Sequence, residues 1–283
     1  MHDTAQPVDD RTNARRWAGH FDRPWRIAAT GFAFACFGVG AVLLGFTIWP
    51  VLRLAARDAQ AGLARVRCSM NIAMRLFVWL MHSLGLLTYE VHGRDRLARR
   101  GQLIVANHPT LIDVVFLVAL LPEVECVVKQ ALWRNPFLRW PVAWAGYISN
   151  ADGPELVAAC ARALAAGKSL LLFPEGTRGE LCQARPMKRG AAQVALAAGV
   201  DLRPVTITCE PLTLRKGTPW YRVPRSRPHW VLSVGELIAV RRWLDSGEPR
   251  PASVRHLTLA LTQYFERSAE LQGAAMRGRR IST

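Results

Sequence analysis

The chain has 283 residues, 51% of them hydrophobic, with 37 Lys and Arg against 21 Asp and Glu. That length and apolar fraction exclude disordered, collagen-like and small disulfide-stapled proteins, and fit one large domain with an appendage or two small domains. A formal charge of +16 calls for a negatively charged partner: nucleic acid, an anionic membrane surface or a phosphorylated substrate.

A polar leader spans 1–26, and Ile27 to Leu52 then carries no charged residue. About 20 apolar residues cross a hydrocarbon core of ~30 Å, so 27–52 is a transmembrane candidate. Trp25 and Trp49 stand near its ends as interfacial anchors, and Arg23, Arg26, Arg53 and Arg57 flank it. The run is longer than the ~7–15 apolar residues of a signal peptide. Arginines balance on the two sides, so charge does not orient the segment. A second apolar stretch, 68–89, contains Arg75 and His82 and could pack on the soluble domain, but is expected to lie in the interface or pair as a hairpin. Together 27–89 are expected to form membrane-anchoring helices, with 90–283 as the main domain.

Beyond Tyr89, short apolar runs alternate with longer Ala/Leu-rich segments, which predicts strands alternating with helices. Strands are expected at Leu103 to Ala106, Val124 to Val128, Ser169 to Phe173, Leu202 to Cys209 and Trp230 to Val234. Helices are expected at Leu111 to Leu121, Pro154 to Ala166, Arg189 to Ala198 and Pro251 to Leu271, with Gly167 and Gly199 as left-handed terminators. The fold class is α/β, a mixed sheet flanked by helices, with N-terminal membrane-associated helices. Thr213 to His229, rich in Pro, Arg and Lys, is expected to be a long exposed loop. The six cysteines, Cys36, Cys68, Cys126, Cys160, Cys182 and Cys209, show no zinc or redox spacing and are expected as free thiols, Cys126 and Cys209 acting as small hydrophobes.

Two segments that each follow a strand carry the chemistry. In Asn107-His108-Pro109-Thr110-Leu111-Ile112-Asp113, a continuous helix would rotate Asp113 about 140° from His108, whereas a turn through Pro109 brings the two together. A carboxylate on one ring nitrogen fixes the tautomer and leaves the other as a base. The alternative is a His that caps the helix and a solvated Asp. In Phe173-Pro174-Glu175-Gly176-Thr177-Arg178, glycine allows close backbone approach, Thr177 supplies a hydroxyl and Arg178 a fork of donors for phosphate or carboxylate. The alternative is a surface turn with a weak ion pair. No G-x-S-x-G elbow, Walker A loop or H-E-x-x-H occurs, so a His–Asp pair without a protein nucleophile points to attack by a substrate hydroxyl on an activated carbonyl.

Taken together, NHxxxxD and FPEGTR make the sequence resemble the glycerolipid (lysophosphatidate-type) acyltransferase family, from about Val91 to Ile238. The resemblance implies that His108 is the base on an acceptor hydroxyl and Asp113 its orienting partner. Glu175, Gly176, Thr177 and Arg178 would bind the acceptor and its phosphate, with Lys129 and Lys188 as further substrate-binding matches and Pro204 in a motif shaping an apolar channel. It further implies acyl transfer to lysophosphatidic acid, giving phosphatidic acid, from an acyl-CoA or acyl-acyl carrier protein donor, with no bound cofactor and no metal. Membrane lipids, and acyl carrier protein as a possible donor, are the implied partners. The implied location is the bacterial inner membrane with the domain on the cytoplasmic face. One departure stands out: in Gly146-Tyr147-Ile148-Ser149-Asn150 a neutral Asn stands where the family places a phosphate-binding Arg. The stretch Cys209 to Tyr221 resembles the branch found with bacterial aryl-polyene pathways, which implies a specialised, non-phosphatidate acceptor as the alternative. The competing class is an inactive, membrane-anchored basic anion binder, or a nucleic-acid binder using Arg215, Lys216, Arg222, Arg225 and Arg227. No nucleic-acid motif accompanies those cations.

Overall fold

The computed structural model describes residues 10–135, 138–150, 153–176, 179, 187–245, 247 and 249–281. Helix α1 (Asp10–Leu43) passes through a π turn (Leu44–Ile48) into α2 (Trp49–Leu54), so the leader from Asp10 onward and the apolar segment form one continuous rod. Within it, Asp22–Leu54 is long and apolar enough to cross a bilayer. Asp58 accepts the Ala61 N–H and starts α3 (Ala59–Ser83), which turns back along the rod. Three contacts tie the two together along their length. The Trp49 Nε1–H donates to Ser69 Oγ at 2.8 Å, the Phe37 and Phe77 rings lie 5.1 Å apart, and the Trp25 Nε1–H donates to the Leu84 carbonyl at 3.0 Å. Trp49 is therefore buried rather than an interfacial anchor: Ser69 satisfies its polar tip, so the whole indole can leave solvent.

The expected apolar segment at 68–89 divides. Its end is already sheet, because Thr88 and Tyr89 open strand β1 (Thr88–His92). The remaining elements follow as β2 (Leu103–Ala106), α4 (Asp113–Leu120), β3 (Glu125–Val128), α5 (Arg139–Ala145), β4 (Ile148–Ser149), α6 (Gly153–Ala165) and β5 (Leu170–Leu172). Then come α7 (Gly190–Ala198), β6 (Leu202–Glu210), β7 (His229–Val234), α8 (Arg241–Leu244) and α9 (Arg250–Ile281). The seven strands form one sheet ordered β1-β7-β6-β2-β5-β3-β4, parallel except where β6 meets β7.

Side chains alternate across the sheet with period two. Ile104 and Ala106 face a core built with α3 and α4, while Leu103 and Val105 face a second core built with α6, α7 and α9. Near-continuous apolar strands such as Leu-Ile-Val-Ala suit a parallel sheet covered on both faces. A buried ionic staple fixes α3 to the far edge of the sheet. Arg67 pairs with Glu125 at 2.7 Å and donates to the Ala145 carbonyl at 2.8 Å, and Lys168 reaches Glu125 at 3.1 Å.

The segment 211–228 has no regular structure, yet it is not a loose loop. Arg26 donates to the Arg225 carbonyl at 2.6 Å, and Arg227 donates to the carbonyls of His82 and Leu87. Trp220 lies over Gly31, where a Cβ would meet its ring at 3.1 Å. These contacts lash the segment to the N-terminal helices.

Candidate active site

Strand register explains why the two motifs meet. Leu103, Ile104 and Val105 of β2 pair with Leu170, Leu171 and Leu172 of β5, and continuing that offset past both strand ends sets His108 level with Glu175. The Glu175 Oε1 accordingly accepts the His108 backbone N–H at 3.0 Å. On the other flank of β2, the Asn107 side chain replaces the lost ladder, donating to the Ile207 carbonyl at 2.7 Å and accepting the Ile207 N–H at 2.6 Å. The chain can thus leave the sheet at Asn107 without orphaning the backbone of β6.

Past Pro109 the turn closes as the spacing predicts. The His108 Nδ1 lies 2.9 Å from Asp113 Oδ2, on the first residue of α4. Asp113 is fully buried, and its carboxylate also accepts the Thr110 N–H at 2.6 Å and the Thr110 hydroxyl. The Trp230 indole N–H donates to that hydroxyl at 3.3 Å. A carboxylate only accepts, so in the neutral ring Nδ1 carries the proton and Nε2 the lone pair. Among the described residues Nε2 has no hydrogen-bond partner, and the imidazole, 18% exposed, stacks on Phe173 with centroids 4.5 Å apart.

Gly176 adopts φ +66°, and its N–H closes a tight turn onto the Phe173 carbonyl at 3.1 Å. The backbone conformation calls for glycine, and the flexible end of Lys188 lies across the space a Cβ would take, its Cε and Nζ 2.8 Å away. Lys188 is held there by its own N–H, which donates to the Pro174 carbonyl. Register also brings Lys129, just after β3, and Asn150, just after β4, to this same edge of the sheet. The Asn150 Oδ1 is committed to the Gln130 N–H at 3.0 Å, capping a short 3₁₀ turn. Pro204 lies elsewhere. It pairs with Val105 in the middle of the sheet and packs toward Gly235. Thr177 and Arg178 lie outside the described residues. Thr110 and Phe173, which buttress the pair, carry no sequence signal beyond their place in the motifs, and Trp230 none beyond its place in an expected strand.

A cavity of about 510 Å³ opens beside the turn. Its walls come from α1 (Ala33, Phe34, Phe37), α3 (Phe77, Met81), the start of α4 (Leu111, Ile112, Val115), the 211–228 segment (Leu214, Trp220) and Trp230. Leu111 links cavity and turn, its N–H donating to the Leu214 carbonyl at 3.1 Å. Among the described residues no cluster of His, Cys, Asp and Glu is arranged to hold a metal ion. Cys126, Cys160 and Cys209 are buried free thiols, and burial pushes Cys126 up to about 12 and Cys160 to about 11, so neither is a nucleophile at neutral pH.

Comparison with known proteins accords with this geometry. Over 164 residues the chain is 27% identical to a 1-acyl-sn-glycerol-3-phosphate acyltransferase of Pseudomonas aeruginosa, covering 56% of this chain and 64% of that protein. The aligned part is thus just under two thirds of that relative's length. A lyso-ornithine lipid O-acyltransferase of the same organism is 29% identical over 191 residues, covering 66% of this chain and 69% of that protein. Among solved structures, the 1-acyl-sn-glycerophosphate (LPA) acyltransferase from Thermotoga maritima superposes with a TM-score of 0.63 at 17% identity, covering 90% of this chain and 98% of that one, which establishes a shared fold. Residues 88–208, which hold β1 through most of β6 and both motifs, match the family model described as Acyltransferase.

Proposed function

We propose that the protein is a lipid O-acyltransferase that moves an acyl chain from a thioester to a lipid hydroxyl, with lysophosphatidic acid as the acceptor and phosphatidic acid as the product. The observation that carries this reading is the buried Asp113 holding His108 Nδ1 at 2.9 Å while Nε2 has no hydrogen-bond partner among the described residues. In the reaction, the acceptor hydroxyl gives its proton to His108 Nε2 as its oxygen attacks the thioester carbonyl. The tetrahedral intermediate then expels the thiolate of coenzyme A or acyl carrier protein, which takes the proton back. Asp113 stabilises the transient imidazolium. Glu175 fixes the backbone of His108, and Lys188 and Lys129 place positive charge at the edge where an anionic headgroup would sit. The apolar cavity suits the acyl chain, since such pockets bury hydrocarbon and leave polar groups at the mouth.

Membrane location follows from the same geometry. Phe32, Val39, Leu43, Phe46, Val51 and Leu54 stand exposed on the N-terminal rod, an apolar surface that water would penalise. The rod is packed along α3, and α3 is bound to α4 through Asn71, which donates to the Val118 and Ala119 carbonyls. Held this way against the domain, the rod seats it at the bilayer, Asp22–Leu54 being long and apolar enough to span it. The face is the cytoplasmic one of a bacterial inner membrane, where acyl thioesters are made.

A second acceptor reading is favoured by Asn150. Its side chain is occupied by the Gln130 N–H, and the similar lyso-ornithine lipid O-acyltransferase is named for an acceptor other than lysophosphatidic acid. The test is transfer of a labelled acyl group by purified protein to lysophosphatidic acid and, separately, to lyso-ornithine lipid. Transfer to the first, abolished in His108→Ala, supports the leading reading. Transfer only to the second replaces the acceptor, and no transfer to either with any thioester donor rejects both.

A further inference from the structure

A second concavity, of about 550 Å³, opens on the far side of α3, between that helix, strand β1 and the end of α4. It shares no lining residue with the apolar cavity beside His108. Ile72, Leu76 and Trp79 project into it from one face of α3 and are 51%, 60% and 64% exposed. Such a stripe of large apolar groups is costly in water. Arg75 and Arg94 line the same concavity, both exposed, and among the described residues neither makes a hydrogen bond or ion pair.

Apolar floor and free guanidinium groups together define the occupant by exclusion. A soluble anion has no use for Trp79 and Leu76, and an uncharged hydrocarbon has none for two arginines. We propose that this groove binds an anionic membrane phospholipid, its headgroup phosphate held by Arg75 and Arg94 and one acyl chain laid over Leu76 and Trp79. Guanidinium is the side chain best suited to grip phosphate oxygens. The site rests on the membrane location proposed above, because Ile72, Leu76 and Trp79 are as exposed as the apolar residues of the N-terminal rod. It uses none of the transfer machinery. A lipid held there would pin α3, and with it the cavity wall formed by Phe77 and Met81, at a fixed depth in the leaflet.

The test is native mass spectrometry of the full chain in detergent, titrated with phosphatidylglycerol, with diacylglycerol and inorganic phosphate as separate arms and acyl transfer assayed on the same preparations. The expected result is a phosphatidylglycerol adduct whose affinity falls about fivefold for Arg75→Gln and for Arg94→Gln and about 25-fold for the double variant, at a surface-electrostatic weight typical of one basic residue each. Trp79→Ala weakens the adduct as well, diacylglycerol and phosphate alone fail to compete, and transfer in detergent is unchanged. All these side chains are exposed, so the variants keep their fold, which circular dichroism checks. Equal affinity in the double variant overturns the site, and so does full competition by inorganic phosphate. Loss of transfer in wild type would instead indict the acyltransferase reading, leaving the adduct to be judged separately.

Discussion

Replacing Asp113 separates two things the carboxylate does for His108, holding its tautomer and supplying charge. In Asp113→Asn, the amide oxygen at the Oδ2 position still accepts both the His108 Nδ1–H and the Thr110 N–H, and the amide NH₂ then faces the Thr110 hydroxyl oxygen, which already accepts from Trp230. The tautomer survives and only the charge is lost. A charge-assisted hydrogen bond is worth about 1–2 kcal/mol more than a neutral one, so kcat should fall about 5–30-fold. Asp113→Ala removes the Nδ1 partner entirely, frees the ring to rotate or change tautomer, and should cost about 10²–10⁴ in kcat, the full worth of a positioned base. It also orphans the buried Thr110 N–H, at about 1–3 kcal/mol of stability. Initial rates with a radiolabelled thioester at saturating acceptor give kcat, thermal melting reports folding, and KM for the acceptor should barely move. An Asn variant as inactive as the Ala variant would refute the tautomer reasoning. An Ala variant that is folded and near wild-type in kcat would remove the pair from the mechanism.

Other perturbations probe the surrounding frame. Gly176→Ala places a Cβ at φ +66° against the Lys188 stem, which should cost about 1–2 kcal/mol and raise the acceptor KM more than it lowers kcat, as steady-state kinetics will show. Glu125→Gln leaves the buried Arg67 without its counter-charge and should lower stability by about 3–5 kcal/mol in denaturant titrations, whereas Arg67→Met with Glu125→Leu should recover most of it. Burial raises the Cys126 thiol from 9.0 to about 12 and the Cys209 thiol further still. The unfolded chain therefore releases these protons first, so the thiols' contribution is complete below pH 9 and declines as pH rises from 9 toward 12. Melting temperature should accordingly fall between pH 8 and pH 10, less so in Cys126→Ala, and iodoacetamide at pH 8 should leave Cys126 and Cys209 unlabelled in the folded protein.

Much of this frame is legible in the sequence because parallel strands buried on both faces appear as unbroken apolar runs. Leu103 to Ala106 and Leu202 to Cys209 lie within a residue of their observed bounds for that reason. Strand β1 is hidden because Thr-Tyr-Glu-Val-His is a half-exposed edge whose start merges with the apolar end of the preceding segment. Spacing and Pro109 make the contact of His108 with Asp113 possible, because the turn is local, but leave the capping alternative open until the 2.9 Å contact is seen. The meeting of His108 with Glu175 is not local, and it depends on a strand register that no single sequence displays. Trp49 and the 211–228 segment show the same limit. Composition marks an indole at a helix end as interfacial and a Pro/Arg-rich stretch as exposed, but Ser69, Arg26 and Arg227 supply partners that only the fold brings near.

Those last contacts bear on what the N-terminal helices are for. An anchor that only tethered the enzyme would be separable from it, yet Ala33, Phe34 and Phe37 of α1 form one wall of the cavity whose opposite wall is Ile112 and Trp230. The 211–228 segment completes the enclosure, joined to α1 through Arg26 and Trp220 and to the His108–Asp113 turn through the Leu111 N–H and the Leu214 carbonyl. Deleting the helices would open the apolar cavity to water and strip the 211–228 segment of the contacts that hold it over Leu111. A chain truncated before Thr88 should therefore be aggregation-prone and inactive toward long acyl donors even in detergent. A truncated domain that stayed monomeric and transferred long chains at the wild-type rate would show that the helices serve attachment alone.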